Sequence, residues 1–348
     1  MTLEVIEPGV LTTVQDAGQP DSTHLGVPIG GVCDRWSLAV ANLLAGNDFG
    51  DAALEMTIVG PTLAIDERTI IGLAGADLGG HVRETGRRLE PGRRHRLEAG
   101  TTIAFPGDGA ALVGSVGSSA AARAYLAPAG GVDVAVVLGS RSTVLSGGFG
   151  GLDGRPLRAG DLVVAGAAGR GAVRSTDADR APVAWPALED DPVAGPHRSD
   201  PIRVLAGPAA PHSQAALESL LAGSWRVGSG SDRIGLRLEG SKRIQPPGGQ
   251  VVSHGVVAGA IQLPPDGTPI VLLADAQTTG GYLVPAVAIS ADVPRLGQLR
   301  PGATVSFELV TLDEARAALI RQREALAAGT VALRDAAGWD DLWQSAGG

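Results

Sequence analysis

The chain has 348 residues, more than one ordinary hydrophobic core requires, so two domains are expected. It carries 28 Lys and Arg against 37 Asp and Glu, a net charge of −9. That balance argues against a nucleic-acid binder, because phosphate neutralisation requires a basic face. The single cysteine, Cys33, excludes an internal disulfide, and neither a signal-peptide pattern nor a run of about 18 apolar residues appears. A soluble, cytoplasmic protein with no membrane span is expected.

With 51 Gly, 23 Pro and 3% aromatic residues, the chain reads as many short strands and turns. "TLEVIEPG" and "GVLTTVQD" are strand-like runs ending in turn residues. Thr13, Gln15 and Asp16 close the second, where Asp16 is read as an Asx-turn into Gly18 and as a candidate ligand group. Residues 35–45, "RWSLAVANLLA", predict a helix with Asp34 as N-cap first and candidate substrate-binding group second, and Gly46 as the residue that ends it. Asn42 lies on that apolar helix, so its amide needs buried partners, most simply a neighbouring loop. Further strands are expected in "TIIGLAGAD", on both sides of "PGDG", and in "RAYLAPAGGVDV" and "GDLVVAG".

Residues 166–201 have no sustained period and read as a linker, pinned to a surface by Trp185. The second half resumes with "IRVLAGP" and a helix at 213–222. Strands are expected at 234–238, 251–263, 269–274, 283–290 and 303–310. Thr311 and Glu314 form a capping box for a helix to about residue 327, with a loosely attached tail beyond it in which Trp339, Leu342 and Trp343 dock. The organisation read from this is a first β-barrel domain over 1–165, a linker or excursion over 166–201, a second over 202–327 and a tail over 328–348. A faint echo supports a duplication: "GVPIGGV", "GLAGADL" and "LEAGTTIAF" recur in order as "GVVAGAI", "LLADAQT" and "LRPGATVSF".

The chain has no Walker-type glycine–lysine motif and no G-x-S-x-G elbow, and its six histidines are isolated. No nucleotide or metal site is expected in it. Cys33 reads as a small buried residue. Asp232 and Arg233 are adjacent opposite charges, either a surface pair or an anion clamp. The densest polar stretch spans Gln262, Gln277, Thr278, Thr279, Gly280, Gly281, Tyr282, Ser290, Asp292 and Arg295. Its Thr-Thr-Gly-Gly core suits either a cradle for a carboxylate, carbamate or ureido oxygen, or a hairpin turn whose glycines supply positive φ.

Ten strings occur in collinear order, among them "PGVLTTVQDAG", "GVPIGGVCDRWSLAVANLLAGND", "ALEMTIVGPTL", "AYLAPAGGVDV", "GSDRIGLRLEG", "HGVVAGAIQLPPDG", "IVLLADAQTTGGY" and "ISADVPRLGQLRPG". In them the chain resembles the allophanate hydrolase subunit 2 family, also known as the 5-oxoprolinase C subunit or KipA-like family. Its module forms half of the carboxyltransferase domain of biotin-dependent urea carboxylase. The resemblance implies a mainly β fold with a few short helices, arranged as tandem cyclophilin-like β-barrel domains. It implies a subunit 1 (KipI-like) partner and a third, lactam-opening subunit. Together these would form an ATP-dependent complex that opens 5-oxoproline to glutamate. ATP is then used by the complex, and no cofactor is expected on this chain. Two other activities stay open under the same resemblance: carboxyl transfer from biotin to urea or a related amide, and a non-catalytic regulatory partnership with subunit 1. The resemblance casts Thr278, Thr279 and the Gly280–Gly281 backbone as donors to an amide oxygen, with Gln262 and Tyr282 orienting the substrate; it appoints no base or nucleophile. The chain departs from the family pattern at Gln19, at His254 and at Leu283–Val284, which leaves Arg141, Arg233 and Arg295 as the cations able to compensate.

Overall fold

The computed structural model describes residues 1–107, 121–167, 184–188, 191–192, 200–208, 213–246 and 252–337. The fold is mainly β, as expected, and its strands fall into two groups along the chain.

The first group forms two antiparallel five-stranded sheets. One runs in the order Leu162–Val164, Thr2–Glu7, Thr62–Ile65, Thr102–Ala104, His81–Val82. The other runs Leu11–Gln15, Ala53–Thr57, Arg123–Pro128, Thr69–Gly75, Arg93–Leu97. Strand periodicity of two explains how they pack. Leu3, Val5, Leu63 and Ile103 of one sheet and Val14, Leu54, Ile71 and Leu126 of the other point into a shared core. The alternate residues of the second sheet, Ala53, Ala74, Tyr125 and Ala127, face away from it and are covered by α1 (Arg35–Ala45). α1 has the predicted bounds, with Asp34 capping Ser37 N–H at 2.9 Å and Gly46 left-handed at φ 85°. It lies close to the strand beneath: a Cβ on Gly72 would stand 1.9 Å from the Ala41 carbonyl oxygen. Asn42 donates to Asp51 O and accepts from Asn47, tying the following loop as expected.

The second group is one eight-stranded sheet in the order Thr304–Val305, Trp225–Val227, Gly235–Glu239, Ile270–Leu272, Ala260–Leu263, Leu283–Ala288, Ile202–Ala206, Phe307–Leu309. Its two edge strands are consecutive in the chain, separated by Ser306 alone, so the sheet curls until it nearly closes as a barrel. Val204, Trp225, Leu236, Ile261, Leu263, Val271 and Phe307 fill it, and α2 (Gln214–Ala222) adds Leu217 and Leu220.

The structure corrects several expectations. The strand expected over 251–263 is broken into His254–Gly255 and Ala260–Leu263, because Gly259 turns the chain at φ 87°. A short helix, α3 (Val293–Gly297), was not anticipated. The capping box holds, with Glu314 accepting from Thr311 N–H at 2.7 Å, but α4 (Leu312–Ala337) runs ten residues past its expected end. Its far end docks: Leu333 is buried beside α1, and Trp185 meets Trp36 edge-on at 6.3 Å, as the anchoring role read for Trp185 requires. Trp339, Leu342 and Trp343 lie outside the described residues. In the echo, Thr69–Gly75 corresponds to Ile270–Leu272 and Thr102–Ala104 to Thr304–Val305, while the two halves build differently ordered sheets. No helix among the described residues is long and apolar enough to cross a membrane.

Candidate functional site

The polar stretch after Ile270–Leu272 does not form a hairpin turn. Neither Gly280 nor Gly281 adopts positive φ. Instead Thr279–Gly280 pairs antiparallel with His254–Gly255, with His254 opposite Gly280, as a small ribbon laid over the outer face of the barrel sheet. The alternation of Ala260–Leu263 creates what the ribbon covers. Ile261 and Leu263 enter the barrel core, while Ala260 and Gln262 face outward. Ala260 joins Leu272, Ala276 and Val284 in a second apolar cluster, against which Val256 of the ribbon packs.

Gln262 is 2% exposed at the edge of that cluster. Its Oε1 accepts from Gln277 Nε2 at 3.3 Å, and its Nε2 has no partner among the described residues. Around it Gln277, Thr279, Gly281 and Tyr282 are exposed and Thr278 is half-buried. Neither threonine hydroxyl is engaged among the described residues. The sequence-derived candidates from Gln262 to Tyr282 are thus brought together at one rim, joined by His254.

The charged candidates go elsewhere. Arg233 is 3% exposed and does not pair with Asp232, which corrects the surface-pair reading. Its guanidinium binds Asp275 through two hydrogen bonds, of 2.8 and 3.0 Å, and also donates to Glu55 and to Gly31 O. Asp232 instead accepts from Ile234 and Gly235 N–H and closes a turn. Glu55 belongs to the first group of strands, so Arg233 locks the two groups together. Glu55 also accepts from Cys33 N–H at 2.8 Å and Tyr125 Oη at 2.9 Å, with Arg123 at 3.6 Å. Burial raises the Glu55 carboxyl, but Arg233 and Arg123, with these hydrogen bonds, outweigh it and hold the pKa below its ordinary value. Burial pushes the Cys33 thiol up to about 11, so it is inert at neutral pH.

Asp34 lies on the same seam. It accepts from Ser37 and, across the two groups, from Gln298 Nε2 at 2.8 Å. Desolvation raises its pKa to about 6 against these hydrogen bonds. Asp16 makes the predicted Asx-turn with Gly18 and accepts from Ser140, Arg141 and Ser142. Arg141 reaches Asp133.

Asp292 accepts from Arg203 through its backbone N–H and two guanidinium hydrogen bonds, and holds Arg295 at 3.3 Å. These three line a cavity of about 450 Å³ with Asp200, Glu308 and Arg321. Ser290, Asp292 and Arg295 follow one end of the six-residue strand Leu283–Ala288, whereas Tyr282 precedes the other. At about 3.3 Å per residue the strand spans roughly 20 Å, so they do not join the rim. Sequence reasoning did not single out Glu55, Arg123 or Tyr125. The available signal was a charged residue inside the otherwise apolar "ALEMT", on the face opposite Leu54 and Met56. Among the described residues no group of three His, Cys, Asp or Glu is placed to hold a metal ion.

This fold is that of a carboxyltransferase module, and the chain belongs to the carboxyltransferase domain family, subdomains A and B, whose model matches residues 25–309. Within that family it is 34% identical over 316 residues to the 5-oxoprolinase C subunit of Escherichia coli K12, covering 90% of this chain and 93% of that one. The crystal structure of TTHA0988 superposes with a TM-score of 0.73 at 33% identity over 88% of this chain and 55% of the other, so this chain spans about half of that protein. The Kluyveromyces lactis urea amidolyase superposes with a TM-score of 0.79 at 26% identity, over 94% of this chain and 20% of that enzyme.

Proposed function

We propose that this chain is the C-type component of an ATP-dependent 5-oxoprolinase complex that opens 5-oxoproline to glutamate, and that its part is to seat the substrate amide. The observation that carries this reading is the sorting of polar groups. The rim around Gln262 offers uncharged amide and hydroxyl groups beside the His254 imidazole, while the carboxylates and guanidinium groups of Glu55, Arg233, Asp275 and Asp292 are committed to buried pairs. Neutral donors placed at a carbonyl oxygen polarise it as charge develops there. The amide and hydroxyl groups of that set supply no general acid or base, and the lactam-opening chemistry is assigned to a subunit 1 (KipI-like) protein and a third, lactam-opening subunit. Near-full-length similarity to the E. coli protein supports the same reading.

The test is co-purification with those two proteins, followed by ATP-dependent turnover of 5-oxoproline. Turnover is expected from the three together and not from this chain alone, and a complete complex without turnover refutes the reading. Structural similarity to the urea amidolyase favours a second reading, carboxyl transfer from biotin to urea or a related amide. That reading requires the activity to be lost on addition of avidin.

A further inference from the structure

We propose that the His254–Gly255/Thr279–Gly280 ribbon is a lid over a single-amide subsite. In it, Gln262 Nε2–H donates to the ligand's carbonyl oxygen, and His254 Nε2 accepts from the N–H of the same amide. The proposal rests on the reading above for the class of substrate; the atoms are assigned by the local geometry.

Gln262 fixes the donor. Its bond to Gln277 consumes Oε1 and turns Nε2 toward the ribbon. A Cβ on Gly280 would stand 2.3 Å from that nitrogen, so glycine backbone covers it at close range. His254 supplies the acceptor. Residues directly opposed across a ribbon put their side chains on one face, with Cβ positions about 5 Å apart. His254 opposes Gly280, so its imidazole shares the face turned toward Gln262. Its Nδ1 lies 3.3 Å from Val252 O; a carbonyl oxygen accepts, so in the tautomer that makes this bond Nδ1 carries the hydrogen and Nε2 presents a lone pair. That nitrogen too is buried and unpartnered among the described residues.

A buried donor and a buried acceptor, both without a partner among the described residues and both on the Gly280 face of the ribbon, are the complement of an amide whose C=O and N–H lie on one edge. A lactam holds them so, because its ring enforces the cis amide; an ordinary trans peptide points them apart. The lid is built to move. It has two residue pairs, and a two-stranded ribbon is marginal by itself. Val256, packed against Ala260 and Val284 and bonded to Thr278 O at 3.0 Å, anchors its base.

The test compares binding of 2-pyrrolidinone and N-methyl-2-pyrrolidinone to the full chain by ligand-observed NMR titration. Wild type is expected to bind the N–H lactam about tenfold more tightly, the loss of one buried hydrogen bond. His254→Phe should erase that preference, His254→Gln, which retains an acceptor, should keep it, and Gln262→Leu should weaken both probes. Circular dichroism and the unfolding midpoint establish that each variant is folded. Equal binding of the two lactams by wild type, an undiminished preference in folded His254→Phe, or no binding of either probe overturns the proposal. Turnover by the complex with any of those results sinks the subsite alone, whereas selective binding without turnover sinks the function proposed above and leaves the subsite standing.

Discussion

Replacing Arg233 by Met tests whether the seam holds the two groups of strands together. The substitution keeps an unbranched stem as far as the Nε position and removes the charged head. Asp275, 4% exposed, loses both hydrogen bonds to Arg233, its one cationic partner among the described residues, while Glu55 keeps Arg123, Cys33 N–H and Tyr125. Most of the cost is therefore the stranded Asp275 charge. Breaking a buried pair by removing one partner costs about 3–5 kcal/mol, a large share of a typical stability of about 5–15 kcal/mol. Urea unfolding followed by tryptophan fluorescence measures it, with Trp36 in the first group and Trp225 in the second reporting on both. The double variant Arg233→Met/Asp275→Leu strands no charge on that side and should recover much of the loss. A single-variant loss below about 1 kcal/mol, the value of a surface pair, would refute the reasoning. So would a double variant as unstable as the single.

Other outcomes follow from the same geometry. With its pKa raised to about 6, Asp34 binds its proton more tightly in the folded chain than in the unfolded one. Its contribution to stability therefore appears as pH falls through about 6 and is lost as pH rises above it. Between about pH 8 and about pH 5, wild type should gain about 1 kcal/mol relative to Asp34→Asn in urea unfolding, and a difference that does not change with pH contradicts this. Gly72→Ala drives a methyl group into the Ala41 carbonyl and should cost about 1–3 kcal/mol, read as a lowered unfolding midpoint; a neutral result would mean α1 is not docked on that strand. Asn42→Ala removes a buried amide that bonds Asp51 O and Asn47 and should cost about 1–3 kcal/mol by the same assay.

Local signals were legible in the sequence and long-range ones were not. α1 could be read with its bounds because cap, apolar face and terminal glycine lie within 13 residues. The Thr311–Glu314 box is equally local. α4 outran its expected end because Leu333 packs with Trp185 and α1, a long-range contact that propensity does not reveal. α3 was missed because a five-residue helix with proline in its first turn has no room for a period. At the site, composition singled out Gln262 and the 277–282 stretch, and Gln277 bonds Gln262. Whether that stretch was a turn or a ribbon depended on pairing with His254–Gly255, more than twenty residues earlier. Arg233 was misread for the same reason: sequence shows its neighbour Asp232, whereas its partners Glu55 and Asp275 come from distant segments.

The central claim is tested most directly by measuring glutamate formed from 5-oxoproline by this chain reconstituted with subunit 1 and the lactam-opening subunit, with and without ATP and avidin. The account predicts formation that requires ATP and this chain, withstands avidin and falls in the Gln262→Leu complex. No glutamate from the complete complex, or formation abolished by avidin, would contradict it.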